Sequence, residues 1–251
     1  MRRVILISSV FMLVLAAGAR TALAQAPAPA SESPWVFDVG VGIQPSINGN
    51  VNSGVIGTLQ GQTTAILPQS YGDVYGTGLE FHFGGGYALS QESELRGIFV
   101  YQSVDANLVR LGDIGPSSLY GKYSDYKSLS FDLGYRRYVP VSTPNLRVYG
   151  EATVGLGFID RIDLQLAAPQ SNVAFNNTDF YDGTATFTMG INAGVLFRIA
   201  EQVDFNAQIG LRRLSGLADV DQFNGTGLED INNDSARLTF PLVVGVRFRF
   251  K

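Results

Sequence analysis

The last fourteen residues, 238–251 (LTFPLVVGVRFRFK), constrain the chain more than any other stretch. Leu238, Phe240, Leu242, Val244, Val246, Phe248 and Phe250 fall on one side at period 2, while Thr239, Gly245, Arg247 and Arg249 fall on the other. A soluble strand rarely sets seven apolar residues on one face and arginines on the face that should be core. The pattern suits a wall with lipid outside and a polar filling inside.

The first 24 residues are a separate object. Arg2 and Arg3 precede an apolar run from Val4 to Ala17, and Ala22-Leu23-Ala24 stands before Gln25. This is the pattern of a secretory signal peptide cleaved after Ala24, since the apolar run is shorter than the roughly 20 residues that span a bilayer. No cysteine follows, which excludes a disulfide framework and a thiolate metal cluster. Losing Arg2, Arg3 and Arg20 with the leader leaves 15 cations against 22 acids, a net charge of −7 that argues against nucleic acid as a partner. Residues 25–34 (QAPAPASESP) read as a Pro/Ala/Ser-rich lead, and residues 35–251 as one domain.

From Trp35 onward the period-2 alternation recurs. Strand one sets Trp35, Phe37, Val39, Val41 and Ile43 against Asp38, Gly40 and Gly42. Strand two, 78–89, sets Leu79, Phe81, Phe83 and Tyr87 against Glu80, His82, Gly84 and Gly86, where the glycine run permits close packing in a narrow interior. Strand three opposes Leu95, Phe99 and Tyr101 to Glu94, Arg96 and Gln102, with Ile98 and Val100 breaking the pattern. Strands four to seven continue it: Leu129 to Tyr135 against Asp132 and Arg136, then Leu146 to Phe158 against Arg147 and Glu151. Ala185 to Phe197 next oppose threonines and Asn192, and Val203 to Leu211 oppose Asp204, Gln208 and Arg212. Stretches 44–77, 105–125, 159–183 and 213–235 read as long polar loops, alternating with short turns. Pro241 removes one ladder donor from the eighth strand, and the pattern alone does not account for it.

Strict alternation of long and short connections is the habit of outer-membrane barrels, with short periplasmic turns and long external loops. Hydrocarbon offers no partner for an open strand edge, so amphipathic strands must close into a cylinder. The fold expected is therefore all-β, an eight-stranded antiparallel up-and-down transmembrane β-barrel. The alternative is a secreted lipocalin-like barrel with its apolar face inward; the unbroken apolar face and the terminal aromatics Trp35, Phe37, Tyr87, Tyr135, Phe197, Phe205, Phe248 and Phe250 argue for a lipid-facing girdle instead.

Such a barrel is just wide enough to be filled by side chains. The expected lumen network is Glu80, His82, Glu94, Arg96, Asp132, Arg136, Arg147, Glu151, Arg212, Arg247 and Arg249, with Asp38 and Asp204 on the same face. Charges held there must be paired or hydrated. They form either structural salt bridges or a gated ion path.

At this point the chain resembles the OmpA-like and OmpW-like small outer-membrane β-barrel proteins of Gram-negative bacteria. The most specific part is Gly245-Val246-Arg247-Phe248-Arg249-Phe250, which looks like the terminal signal read by barrel-assembly machinery, carried by Gly245, Phe248 and Phe250. Val243 stands where that pattern usually has a polar residue, and Lys251 follows the final aromatic. The resemblance implies a place in the outer membrane among its lipids, and an envelope role. No peptidoglycan-binding domain follows the barrel, so a wall-tethering role is not implied.

Some barrels of this size are lipid-modifying enzymes, and His82 beside Glu80 could be half of such a site. No serine is placed near it by spacing, so no catalytic residue is assigned. The acids Asp219, Asp221, Glu229, Asp230 and Asp234 do not match the ligand spacing of an EF-hand, so no metal or cofactor is assigned either. The expectation is a non-enzymatic protein with a structural role and external loops open to a ligand. Passive transport of small or apolar solutes is the runner-up, and lipid modification comes third.

Overall fold

The computed structural model describes residues 33–250 apart from 144, 172 and 234, with backbone alone at 171 and 173–176. The leader, most of the lead and Lys251 lie outside the described residues, as does Asp234 of the acidic loop. Among described residues the strands in chain order are β1 (Trp35–Asn48), β2 (Asn50–Asn52), β3 (Val55–Leu59), β4 (Gln62–Ile66), β5 (Gln69–Ser70), β6 (Thr77–Ser90), β7 (Ser93–Val104), β8 (Leu108–Ile114), β9 (Ser117–Tyr123), β10 (Tyr126–Val139), β11 (Leu146–Ile159), β12 (Ile162–Ala168), β13 (Val173–Asp182), β14 (Thr184–Ala200), β15 (Val203–Leu214), β16 (Ala218–Asp219), β17 (Arg237–Thr239) and β18 (Leu242–Arg249). One short helix, α1 (Tyr71–Tyr75), lies between β5 and β6.

The long strands form one antiparallel ring, β1–β6–β7–β10–β11–β14–β15–β18, and β18 returns to β1 from Val36↔Arg249 to Ile43↔Leu242. With β17 and β18 counted as one interrupted strand, the ring has eight members and no free edge. Pro241 is the interruption. Its missing N–H breaks the ladder between Thr239 and Leu242, yet the wall stays bonded, because Gly210 N donates to Pro241 O and Phe240 N donates to Pro45 O.

The faces decide between the two barrels weighed above. Leu79, Phe81, Leu133, Phe158 and Ile191 are each more than half exposed on the outside, while Asp38, Glu80, Glu94, Arg96, Asp132, Arg136, Glu151 and Arg247 are buried inside. In water an apolar belt of this extent would drive aggregation. On β10 the outward row runs Arg137, Tyr135, Leu133, Phe131, Leu129, Lys127. Ten residues of tilted strand cover about 25 Å, the height of the apolar band on such barrels.

Ile98 and Val100, which broke the pattern of the third strand, face inward and are buried. The glycine run has a steric reason, since a Cβ at Gly86 would strike the Glu94 carboxylate and one at Gly84 would strike the carbonyl of Gly97.

The loops are where the structure departs most from the sequence expectation. They are strands. A second, seven-stranded sheet, β16–β13–β12–β9–β8–β4–β3, extends the wall strands beyond the belt, and β2 pairs β5. Inside it lies an apolar core that includes Val74, Leu111, Ile114, Leu119, Ile162, Leu164, Phe180 and Ile231. Helix α1 is set by a capping box, in which Asp73 N donates to Ser70 Oγ and Ser70 N to Asp73 Oδ2, and it ends at Gly76 with φ +60°. Tyr71, Val74 and Tyr75 are all buried. From this helix Tyr71 and Tyr75 reach Tyr126 at the external end of β10, with ring centroids 6.1 and 5.7 Å apart.

Candidate functional site: a filled lumen under a folded headpiece

Inward positions recur at every second residue of every wall strand, so the lumen is built in layers. At the periplasmic end Arg247 donates to the Tyr138 hydroxyl at 2.6 Å and pairs with Glu94, which also accepts from Tyr138 at 2.8 Å. The Arg147 guanidinium lies 3.5 Å over the Tyr138 ring and donates to the carbonyl of Gln91. Arg249 stands 3.2 Å from Asp204.

The next layer centres on Glu151. Its Oε2 accepts from Arg96 at 2.7 Å and Arg136 at 2.9 Å, and its Oε1 from Asn192 at 3.2 Å. Arg96 also donates to Asp38 at 2.8 Å, and Arg136 lies 3.7 Å over the Tyr149 ring. Above it Arg212 donates to Asp132 and Ser130 at 2.7 and 2.6 Å, and Thr188 donates to the other oxygen of Asp132. His82 lies 3.3 Å from Glu80. A cavity of about 20 Å³, room for a water-sized occupant, lies among Glu80, His82, Asp132, Asn192, Gln208 and Arg212.

The external layer holds a residue that the strand boundary at Leu238 leaves out. Arg237 is buried, donates to Ser46 at 2.8 Å and Gln102 at 3.0 Å, and faces the rings of Tyr126 and Tyr71 at 4.5 and 5.2 Å. Its signal was the inward row itself, since Arg237 precedes Thr239 by two. Arg237 is the joint between wall and headpiece: its donors hold β1 and β7, and its face packs on helix α1.

Chemically the lumen is a set of ion pairs in which several buried atoms, among them both oxygens of Glu80 and both terminal nitrogens of Arg136, have no hydrogen-bond partner. No serine or threonine hydroxyl makes a hydrogen bond to His82 among the described residues, and no cluster of three or more His, Cys, Asp or Glu there could hold a metal. In the acidic loop, Glu229 Oε1 accepts from Gly225 N at 2.7 Å and Gly227 N at 3.2 Å, and its own backbone amide, with those of Gly227 and Gly225, holds its carboxyl below the usual range. That carboxylate closes its own turn.

In the headpiece, burial pushes the phenols of Tyr71, Tyr75 and Tyr123 above their usual range. The folded state holds these protons more tightly than the unfolded chain does. Their contribution is therefore intact below about pH 10 and is lost as the pH climbs through the raised values. An absorbance titration of phenolate should show these tyrosines silent until the headpiece opens. Normal ionisation of all tyrosines near pH 10 in the folded protein would contradict the packing.

Gly245 sits opposite Gly40, and a Cβ there would collide with the carbonyl of Val39, so it has a packing reason of its own. Phe248 and Phe250 face outward at the belt's periplasmic border.

A family model described as outer membrane protein beta-barrel domain matches residues 12–250. Among solved structures, Neisserial surface protein A is similar over 88% of this chain and 99% of its own at 13% identity, with a TM-score of 0.45. OprG from Pseudomonas aeruginosa is similar over 87% and 97% at 14% identity, with a TM-score of 0.49. The N-terminal β-barrel domain of OprF from Pseudomonas aeruginosa is similar over 88% and 100% at 14% identity, with a TM-score of 0.39. No curated protein matches the chain in sequence. The family match spans all of the described wall and headpiece, and the chain belongs to the outer-membrane protein β-barrel family.

Proposed function

We propose that this protein is an eight-stranded, up-and-down transmembrane barrel with a structural role in the outer membrane, and that its headpiece is the part offered to external ligands. One observation carries the reading: the lumen is occupied by ion pairs at three successive levels, and an apolar core lies over its external end. A conducting barrel needs a continuous wet path, and a buried layer running from Val104 and Tyr126 to Leu111 and Ile162 opposes one. Among the described residues no hydroxyl is hydrogen-bonded to His82, which supports a non-enzymatic role. Gly245, Phe248 and Phe250 serve as the address for barrel-assembly machinery, and the surrounding partner is outer-membrane lipid.

Planar bilayers test this. Purified protein should give no steady single-channel conductance, and cells lacking it should show a fragile envelope. Steady conductance would replace the structural reading with passive solute transport. Boiled and unboiled samples should differ in gel mobility, and the protein should stay with the outer-membrane fraction.

A further inference from the structure

Among the described inward-facing acids, Glu80 stands apart because no arginine pairs with it. Asp38, Glu94, Asp132, Glu151 and Asp204 each pair with at least one arginine, whereas the ion-pair contact of Glu80 is His82, at 3.3 Å. Glu80 is fully buried, and neither of its oxygens makes a hydrogen bond; nor does His82 Nε2. An ionised carboxylate left so in a low-dielectric interior is costly, so it turns to whichever donor carries charge. His82 is the only histidine of the chain, and an imidazole is the side chain whose charge changes between about pH 5 and 8.

Unused donors lie on the other side of Glu80, nearer the headpiece. Gln102 is directly opposite Glu80 on β7. Its Oε1 accepts from Arg237, while Gln102 Nε2 and Arg237 Nη2 have no hydrogen-bond partner. Space for the carboxylate to turn comes from glycine, since Gly42 is its cross-strand neighbour on β1 and Gly78 precedes it on the same face of β6. The cavity of about 20 Å³ adjoins both Glu80 and His82. The other charged groups that line it are occupied, Asp132 by Arg212 and Glu151 by Arg96 and Arg136. At the level of His82 the flanking strands bring uncharged residues: Gly40 from β1, Val100 from β7, Val243 from β18 and Asn192 from β14.

We propose that Glu80 is a two-position carboxylate, controlled by the proton on His82, that couples the lumen to the headpiece. With the imidazolium formed, Glu80 is held toward His82, and Arg237 keeps its face on Tyr126 and Tyr71. The His82 side chain is 16% exposed, so the imidazolium can give a proton to solvent. Glu80 then turns outward to Gln102 Nε2 and Arg237 Nη2. The guanidinium moves off the two rings, and helix α1 loses part of its anchor.

Solution NMR of the full barrel in detergent micelles tests this, with the His82 imidazole nitrogens and the backbone amides of residues 71–75 followed from pH 5 to 8. In wild type the two sets of signals should move together about one midpoint. His82→Gln should abolish the response of the helix amides. Glu80→Gln should abolish it too while leaving the imidazole free to titrate, because the neutral amide has no charge to carry outward. Both variants should keep the heat-dependent gel shift. A titrating imidazole with motionless helix amides overturns the coupling, and an imidazole of constant charge across this range overturns the control by His82. A helix response that persists in either variant belongs to another group and overturns the proposal as well. The first two of these outcomes need wild type alone, so they decide the matter even where a variant fails to fold.

Discussion

Glu151→Ala is expected to destabilise the folded barrel by about 3–5 kcal/mol, the cost of removing one partner from a buried ionic group. The reason lies in how many donors converge on one carboxylate. Glu151 accepts from Arg96, Arg136 and Asn192, and both guanidinium groups are buried beside it. Without it Arg96 keeps Asp38, but Arg136 keeps only the face of Tyr149, with no carboxylate in hydrogen-bond range. The two arginines then repel across a narrow interior.

Asp113→Ala is the natural comparison, because the Arg110–Asp113 pair is about half exposed and should contribute less than about 1 kcal/mol. Urea unfolding from lipid vesicles can follow both variants through Trp35, the one tryptophan of the chain, which stands at the belt border 4.9 Å from Tyr87. A lower midpoint at unchanged slope for Glu151→Ala, and almost none for Asp113→Ala, is the expected outcome. Equal small shifts would mean that the lumen is wet enough to solvate Arg136, and would reopen a conducting path.

The wall was legible because its two environments differ along the whole length of each strand. Period 2 sorts Leu129, Phe131 and Leu133 from Ser130 and Asp132 without help from tertiary structure. The headpiece was not legible, and the cause is a reversal of phase. Below residue 126 of the β9–β10 column, as the chain runs inward, apolar side chains face out and polar ones face in. Beyond it Leu119 and Tyr123 face in while Lys122 faces out. The chain leaves lipid for water without changing its period, so a reader tracking the lipid face loses the strand there.

Residues 162–168 show that the signal existed, with Ile162, Leu164, Leu166 and Ala168 alternating against Asp163 and Gln165. By contrast β2, β3, β4 and β5 are two to five residues long, too short for any period to show. Pairing was also beyond reach. That Glu94 meets Arg247, 153 positions away, follows from ring closure between β18 and β1.

Leu133→Arg is the change that reports most directly on what surrounds the belt. Leu133 lies midway along the outward row between Arg137 and Lys127, and it is 58% exposed. In water an exposed leucine replaced by arginine changes stability by only about 0.5 kcal/mol in either direction. At the midplane of a bilayer the same change costs roughly 2–4 kcal/mol, and near the interface roughly 0–1 kcal/mol. Leu129, one outward position below Lys127, supplies the interface comparison on the same strand. Refolding into phosphatidylcholine vesicles should therefore rank the variants by depth, with Leu133→Arg losing several times more stability than Leu129→Arg. Arg213 already holds the equivalent border place on β15, directly above Leu211. A flat response at the two depths would mean that the outward face does not meet hydrocarbon. A graded one would fix the bilayer midplane near Leu133 and its external border near Lys127.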